Sequence, residues 1–418
     1  MNKDKHIPQG FKDSPLGIIP KEWEVKRLGD CTRLLTNGFV GVATPHYTDD
    51  PDGITYIQGF NVTEGGYNLT GIKKVTKEFH KKNSKSSLQD GDLLTIQTGD
   101  IGLTTIVPKE LEGSNCHALI ISRFKEGILP RFMLYYYNST IGRHRFHIIE
   151  TGSTMKHINT GDLFKFYVPV PPIEEQNKIV EIASLWDTAI EKQSELIEKL
   201  KLRKRALMQQ LLTGKKRLPG FSGEWKKRTY SSILTEVKRS LKWDEDELYK
   251  LISVRRRSEG LFFRESLYGR DIATKNLRPA KTGDFLISKM QIVHGASGLV
   301  TDEFDDAKIS GSYISLVSKD SNILDIRYYN LWSQMPIFYH QTFVSSFGVH
   351  IEKMTFDLDT FMSFGMPLPP IDEQHAIVSL IESINKEIKL ANEKLTNYQS
   401  QKRGLMQQLL TGKKRIKI

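Results

Sequence analysis

The sequence PPIEEQNKIV at Pro171–Val180 returns as PPIDEQHAIV at Pro369–Val378, and LMQQLLTGKKR at Leu207–Arg217 returns unchanged at Leu405–Arg415. Both recurrences have the same offset, 198 residues. The stretch between the two motifs therefore keeps its length in both copies, as a packed helix requires and a surface loop does not. From Glu174 to Leu211 the apolar residues Ile179, Ile182, Trp186, Ala189, Leu196, Leu200, Leu207 and Leu211 step by three, four or seven, which is one helical stripe. From Asp372 to Leu409 the stripe is Ile377, Leu380, Ile384, Ile388, Ala391, Leu395, Tyr398, Leu405 and Leu409. The proline pairs fix each helix entry, and Gly214 is a plausible stop. At 1.5 Å per residue each helix would run about 57 Å, too long to stand without a partner along its length. The other copy is the nearest such partner. The expectation is an antiparallel coiled coil that carries two flanking regions to opposite ends.

Outward from the helices the repeat weakens. EWEVKRLGD at Glu22–Asp30 is echoed by GEWKKR at Gly223–Arg228, with an offset of 202 from Trp23 to Trp225. GDLL at Gly91–Leu94 is echoed by GDFL at Gly283–Leu286, with an offset of 192. Sequence and spacing thus drift between the constant segments. Strands are expected at Ile54–Val62, Leu248–Arg255, His117–Phe124 and Ser312–Lys319, all rich in β-branched residues. Gly-Asp turns should precede strands after Gly91 and Gly283. The aromatic runs FMLYYYNS at Phe132–Ser139 and YYNLWSQ at Tyr328–Gln334 read as helices. Their rings could stack on bases, but core packing is the stronger reading. The fold class expected is α+β: two mixed α/β domains joined by two long antiparallel helices in a pseudo-twofold repeat. The boundaries expected are 1–165, 166–217, 218–364 and 365–418.

The 418 residues carry 60 Lys and Arg against 49 Asp and Glu, a formal charge of +11, which favours a polyanionic partner. Two cysteines, Cys31 and Cys116, cannot build a disulfide framework or a four-thiolate zinc site, and read as buried or incidental thiols. The first residues lack the apolar run of a signal peptide, and no stretch approaches the length of a membrane span, so a cytoplasmic protein is expected. No GxGxxG loop, HExxH helix or Cys/His ligand spacing is present. TGKKR resembles the end of a phosphate loop but lacks the upstream Gly and the hydroxyl after Lys. No catalytic residue, metal or cofactor is expected in this chain. Basic residues are better placed: Lys73, Lys74, Lys81, Lys82 and Lys85, then Arg143 and Arg145, in the first half; Arg255, Arg256, Arg257, Arg264, Arg270 and Lys289 in the second. Such residues can neutralise phosphates, and a minority can read base edges.

The duplicated PPxxEQ segment, each followed by a long helix ending in LMQQLLTGKKR, closely resembles the specificity subunit of type I restriction-modification enzymes. GSTMKHI at Gly152–Ile158 is similar to that family's Gly-Ser/Thr lead into the helix, whereas FGVHIEKM at Phe347–Met354 lacks this step. The resemblance implies two target-recognition domains, each reading half of a split, asymmetric double-stranded DNA site through the major groove. It implies helices that hold the halves apart and dock two modification (methyltransferase) subunits, with restriction (endonuclease and translocase) subunits joining them. S-adenosylmethionine, ATP and Mg would then belong to the partners. Two other readings remain open at this point: a free-standing DNA-binding adaptor, and a coiled-coil interaction protein whose globular ends bind proteins.

Overall fold

The computed structural model describes residues 7–153 and 156–416. The chain divides into two compact units. The first comprises the chain up to Ser194 together with the stretch from Glu393 onward; the second is Glu195–Asn392. Each holds its own core and part of both long helices.

In the first unit the strands that build the main sheets begin with β1 (Glu24–Arg27), β2 (Thr32–Asn37), β3 (Ile54–Ile57) and β4 (Lys73–Val75), followed by helix α1 (Lys77–Lys82). Then come β5 (Leu93–Ile96), β6 (Thr104–Ile106), β7 (Asn115–Cys116), β8 (Leu119–Phe124), helices α2 (Pro130–Asn138) and α3 (Thr140–Ile148), and β9 (Tyr167–Val170). An antiparallel sheet runs β6-β5-β8-β2, and a second runs β7-β3-β4 with β7 parallel to β3. Strand β9 returns to pair with β1, Tyr167 opposite Arg27, so the domain's exit lies beside its entry. Helix α4 (Ile173–Leu211) follows.

The second unit repeats the plan. Its strands are β10 (Lys226–Thr229), β11 (Leu234–Glu236), β12 (Leu248–Val254), β13 (Leu261–Tyr268), β14 (Leu277–Pro279), β15 (Phe285–Ser288), β16 (Ser297–Leu299), β17 (Lys308–Ser310) and β18 (Tyr313–Ser318). Helices α5 (Ile326–Trp332) and α6 (Pro336–Val344), strand β19 (Gly365–Leu368) and helix α7 (Ile371–Leu409) complete it. The sheets run β11-β18-β15-β16 and β13-β12-β17-β14, with β17 parallel to β12, and β19 pairs with β10. Strands β5 and β15 are buried at every position, which is why LLTI and FLIS are mainly apolar, with one buried hydroxyl each at Thr95 and Ser288. The aromatic helices belong to the cores: Phe132, Met133, Tyr136 and Tyr137 in one, Tyr328, Tyr329, Leu331 and Trp332 in the other, are all buried.

The Gly-Asp turns are structural. Gly91 and Gly283 adopt φ of +83° and +90°, and the aspartates behind them are buried. Asp92 closes its turn by accepting the Gln89 N–H at 2.8 Å and is held by Arg123, Nη2 to Oδ2 2.7 Å. Asp284 accepts the Lys281 N–H at 3.0 Å and is held by Arg239, Nη1 to Oδ2 2.5 Å. Arg123 comes from strand β8 and Arg239 from the loop after β11, so the charge balance is repeated but its residues are not.

Helices α4 and α7 are 39 residues each, contact each other and link the two mixed α/β domains. Within the first unit Trp186 meets Tyr398 edge-on at 5.8 Å, and Asp187 pairs with Lys402. Within the second, Arg203 lies 3.7 Å from Glu387. In the first unit Glu175 meets Arg415 and Asp187 meets Lys402, and in the second Arg203 lies near Glu387 and Arg217 meets Glu373, so within each unit partners descend α7 as they ascend α4 and the packing is antiparallel. The scaffold positions Ile179, Ile377 and Ile384 are buried, and Ile182, Trp186, Leu200, Leu207, Leu380, Ile388, Leu395 and Leu405 are half-buried. Leu196 is a correction: it is 46% exposed, while Ile197 beside it is 3% exposed. The stripe passes through Gln193, which is buried, and on to Ile197. Reading only apolar residues stepped around that glutamine and so slipped by one position.

The repeated motifs at the helix ends form the same clamp twice. Glu175 is buried and accepts the indole N–H of Trp23 at 2.8 Å; Arg415, from the end of α7, grips it with Nε at 2.9 Å and Nη2 at 3.1 Å. Glu373 is buried and accepts the indole N–H of Trp225 at 3.0 Å; Arg217, from the end of α4, grips it with Nε and Nη2, both at 2.6 Å. The adjacent glutamines hold the loop before each aromatic helix. Gln176 accepts from the Leu129 N–H and donates to the Gly127 and Pro171 carbonyls. Gln374 accepts from the Asp325 N–H and donates to the Ile323 and Pro369 carbonyls. The Glu-Gln pair and the terminal arginine of TGKKR are thus two parts of one device.

Candidate nucleic-acid interface

Connected loops gather at equivalent strand ends in both domains. In the first, the loop after β2 meets the end of β3 through His117, whose N–H donates to the Ile57 carbonyl at 2.8 Å; Phe39 bridges His117 in parallel. The loop after β5 is tied to the segment before β9, where the Ile158 N–H donates to the Gln97 carbonyl at 3.0 Å and Thr98 pairs with His157, and Thr160 of that segment donates to Asn37 at the end of β2. Helix α3 reaches the same loop through an ion pair from Arg143 to Asp100. Thr154 and Met155 of the GSTMKHI segment lie outside the described residues. Burial lowers the pKa of His117, so its imidazole is neutral near pH 7 and serves as a hydrogen-bonding rather than a charged group.

In the second domain the cluster gathers the turn after β12, the loop after β15 and the loop at Phe347–Met354. The turn holds two successive left-handed residues that are not glycine, Arg257 at φ +60° and Ser258 at φ +54°. Each such residue costs about 1–2 kcal/mol and needs outside support. The support is present: the Arg257 N–H donates to the His294 carbonyl at 2.7 Å, the Ser258 N–H to the Gly295 carbonyl at 2.8 Å, and Ser258 Oγ shares a hydrogen bond with the Tyr339 hydroxyl at 2.7 Å. The Arg256 guanidinium lies 3.2 Å from Glu352, and His294 Nε2 lies 3.1 Å from the same carboxylate. Arg255 packs over the Phe262 ring at 4.9 Å. Arg257 and Lys289 have no ion pair among the described residues. A strained, braced turn that presents three exposed arginines suits a ligand with fixed negative charges.

The structure sorts the other basic candidates. Lys81 and Lys82 are exposed on α1, whose Phe79 packs against Phe39 of the first cluster at 4.9 Å, and Lys85 follows in the next turn. Lys73 and Lys74 lie on β4, where Lys74 donates to the Pro51 carbonyl at 2.6 Å. Arg145 turns away: it donates to the Tyr167 carbonyl and stacks on Phe166. Arg264 pairs with its neighbour Glu265 along β13. Arg270 pairs with Asp246 beyond the end of the β12–β13 hairpin that is opposite the arginine turn.

Sequence reasoning missed the apolar tips. Val40, Val42 and Phe60 in the first cluster, and Phe347, Val349 and Ile351 in the second, are exposed, Val349 to 94%. The available signal was their glycine flanks in NGFVGVAT and SSFGVH, since valine and phenylalanine between glycines pack poorly into a core. Among the described residues no group of His, Cys, Asp and Glu is assembled to hold a metal ion, and no helix is long and apolar enough to cross a membrane.

Residues 20–202 match the family described as the type I restriction modification DNA specificity domain. The chain is similar along nearly its whole length to a Methanocaldococcus jannaschii protein named as the MjaX specificity subunit of a type I restriction enzyme: 24% identity, covering 98% of this chain and 97% of that one. Along nearly its whole length the chain is similar to specificity subunits of type I restriction-modification enzymes. The EcoBI specificity subunit of Escherichia coli is 28% identical over 39% of this chain and 34% of its own. In fold, the chain matches a chain from a solved type I restriction-modification assembly at TM-score 0.60, with 16% identity over 94% of this chain and 99% of that one. It also matches the S subunit from M. genitalium at TM-score 0.53, with 14% identity over 93% and 96%. The function these similarities support is general: DNA recognition and scaffolding within a type I complex.

Proposed function

We propose that each strand-end cluster reads one half of a split, asymmetric duplex site, and that the two long helices dock two modification subunits, with restriction subunits joining the assembly. The observation that carries this reading is the paired architecture: the same loop cluster on the same strand ends, with different side chains, behind clamps that are identical. A duplicated but diverged reader suits an asymmetric site, where two identical readers would favour a palindrome. Two readers on one chain also raise the effective concentration of the second contact once the first is made. The partners would use S-adenosylmethionine to methylate adenine, and ATP with Mg to translocate and cut. Arg256, Arg257 and Lys289 are the phosphate and base-edge contacts in the second half; Lys81, Lys82 and Lys85 flank the first reader. The test is methylation-site sequencing of cells expressing the chain with its modification subunits. One split motif with modified adenine in both halves is expected; a palindromic motif, or no motif from an assembled complex, overturns the proposal.

A further inference from the structure

The second loop cluster is mainly basic, yet Glu352 stands among its arginines. Its Oε2 lies 3.2 Å from the Arg256 guanidinium, and its Oε1 lies 3.1 Å from His294 Nε2. The backbone that carries it is anchored. Ser346–Phe347 and Thr355–Phe356 pair at the root of a hairpin, and Glu352 is the middle residue of a 3-10 turn over Ile351–Lys353. The Lys353 N–H closes that turn on the His350 carbonyl at 2.8 Å. Gly348 seals the neck: a Cβ there would stand 2.9 Å from both the Lys353 carbonyl oxygen and the Met354 Cα. The arginine arrives from the other side, on the turn braced at Arg257 and Ser258. Two separately anchored elements thus bring a hydrogen-bond donor and an acceptor together at the reading end of the domain.

Stability does not account for the pair. Both side chains are more than half exposed, and an ion pair in water adds little to folding. Phosphate binding does not account for the carboxylate, which repels a phosphate and partly cancels the arginine beside it. An ionised carboxylate only accepts, and it has lone pairs left after its two contacts. The donors that duplex DNA presents in its major groove are the amino groups of cytosine and adenine. The arginine, with five N–H donors, seeks acceptors. A G·C pair offers both side by side: guanine O6 and N7 for a bidentate arginine and, next to O6, the cytosine N4 amino group for a carboxylate. An A·T pair sets its amino group between two acceptors, so an arginine beside the carboxylate finds one acceptor there rather than two.

We propose that Arg256 and Glu352 together read one G·C pair of the second half-site, the arginine on guanine and the carboxylate on the cytosine amino group. Glu352 is then a specificity-determining residue, and His294, at 3.1 Å, is a positioning residue that holds the carboxylate beside the arginine. The inference rests on the reading of this loop cluster as the second DNA reader, and it deepens that reading to a base pair. The carboxylate supplies discrimination more than affinity. It admits a duplex that offers an amino group at that place and repels one that offers only acceptors.

The experiment co-expresses the full chain with its modification subunit, maps methylated sites by sequencing, and measures binding of the assembled complex to duplexes varied one base pair at a time. Glu352→Ala should relax one G·C position in one half-site and leave the other half-site unchanged. Discrimination at that position should fall at least about tenfold, while affinity for random duplex holds or rises. Glu352→Gln keeps the size of the side chain and an accepting oxygen, so it should relax the same position less; it also keeps the test open if the alanine variant misfolds. N4-methylcytosine at that position should weaken the wild type and affect E352A far less, a response that a merely bracing role would not give. A motif that both variants leave intact in an assembled complex would overturn the assignment. So would relaxation at an A·T position, or a loss of affinity equal on every duplex, which would make Glu352 a brace for the arginine turn. A wild-type complex that yields no split motif would instead remove the reader itself.

Discussion

At the scale of the residue, the Glu373 carboxylate carries more than its position in a PPxxEQ motif suggests. It is buried, and both Arg217 and Trp225 depend on it. Glu373→Gln keeps the volume but removes the charge, so the bidentate pair is lost and a buried amide must stand against a guanidinium. About 2–3 kcal/mol of stability should go with it. Urea denaturation followed by circular dichroism would show the lower midpoint; an unchanged midpoint would make the clamp ornamental. The two thiols call for the opposite result. Burial pushes the Cys31 thiol up to about 11 and raises Cys116 as well. At pH 8 Cys31 should hold roughly 100-fold less thiolate than an ordinary thiol of 9, so the folded chain should resist iodoacetamide and react as pH rises toward 11 or when unfolded. Fast labelling of the native chain at pH 8 would contradict the burial. These roles were only half legible. The sequence repeats glutamate, tryptophan and arginine, but nothing local says that the arginine ending one helix belongs to the glutamate starting the other. That pairing exists only once the helices run antiparallel.

Among the elements, the long helices were the most legible, because a repeat of constant length and an apolar period both report on them. Their phase was less so. Gln193 sits buried in the stripe, and a reading that admits only apolar residues passes over it and takes Leu196 for Ile197. The correction is testable by substitution at adjacent positions. Ile197→Asp puts an unpaired carboxylate into a buried site and removes a branched side chain, and should cost about 3–5 kcal/mol. Leu196→Asp stands in water and should cost no more than about 0.5 kcal/mol. Thermal melts of the two variants decide between the phases; equal losses would mean that the helix turns differently. The reading loops were the least legible element. Their tips combine arginine, valine and phenylalanine with glycine, a composition that matches neither core nor ordinary surface, and their convergence depends on which strand ends lie side by side.

For the whole molecule, the charge on the second reader sets a measurable expectation. Neutralising Arg255, Arg256 and Arg257 together should weaken binding of the assembled complex to DNA. If they meet phosphates, the loss should be similar on target and random duplex, and the salt slope should shrink. If Arg256 or Arg257 reads guanine, the target should suffer more. Salt titrations on both duplexes separate these cases, and no change on either would take the turn out of the interface.

The modular layout makes the larger claim. Asp30–Ile158 and Thr229–Met354 follow the same sheet plan with different side chains, whereas the segments Pro171–Arg217 and Pro369–Arg415 keep their length and their clamps. Each domain's entry and exit are tied side by side, β1 to β9 and β10 to β19, so a replacement domain has to meet a two-stranded junction and the repeated helix face, including the glutamine that holds the loop before the aromatic helix. Exchanging Asp30–Ile158 for the matching segment of a relative with another target should therefore change the first half-site and leave the second intact. Matched insertions in both helices should behave differently. Each added residue shifts one end by about 1.5 Å and turns it by about 100°. A single residue in each helix should then hurt far more than a longer insertion that restores the facing, because a reader must keep pointing into its groove. Methylation-site sequencing reads both experiments. A domain exchange that changed both half-sites together, in a folded and active complex, would mean that the two clusters read DNA as one surface.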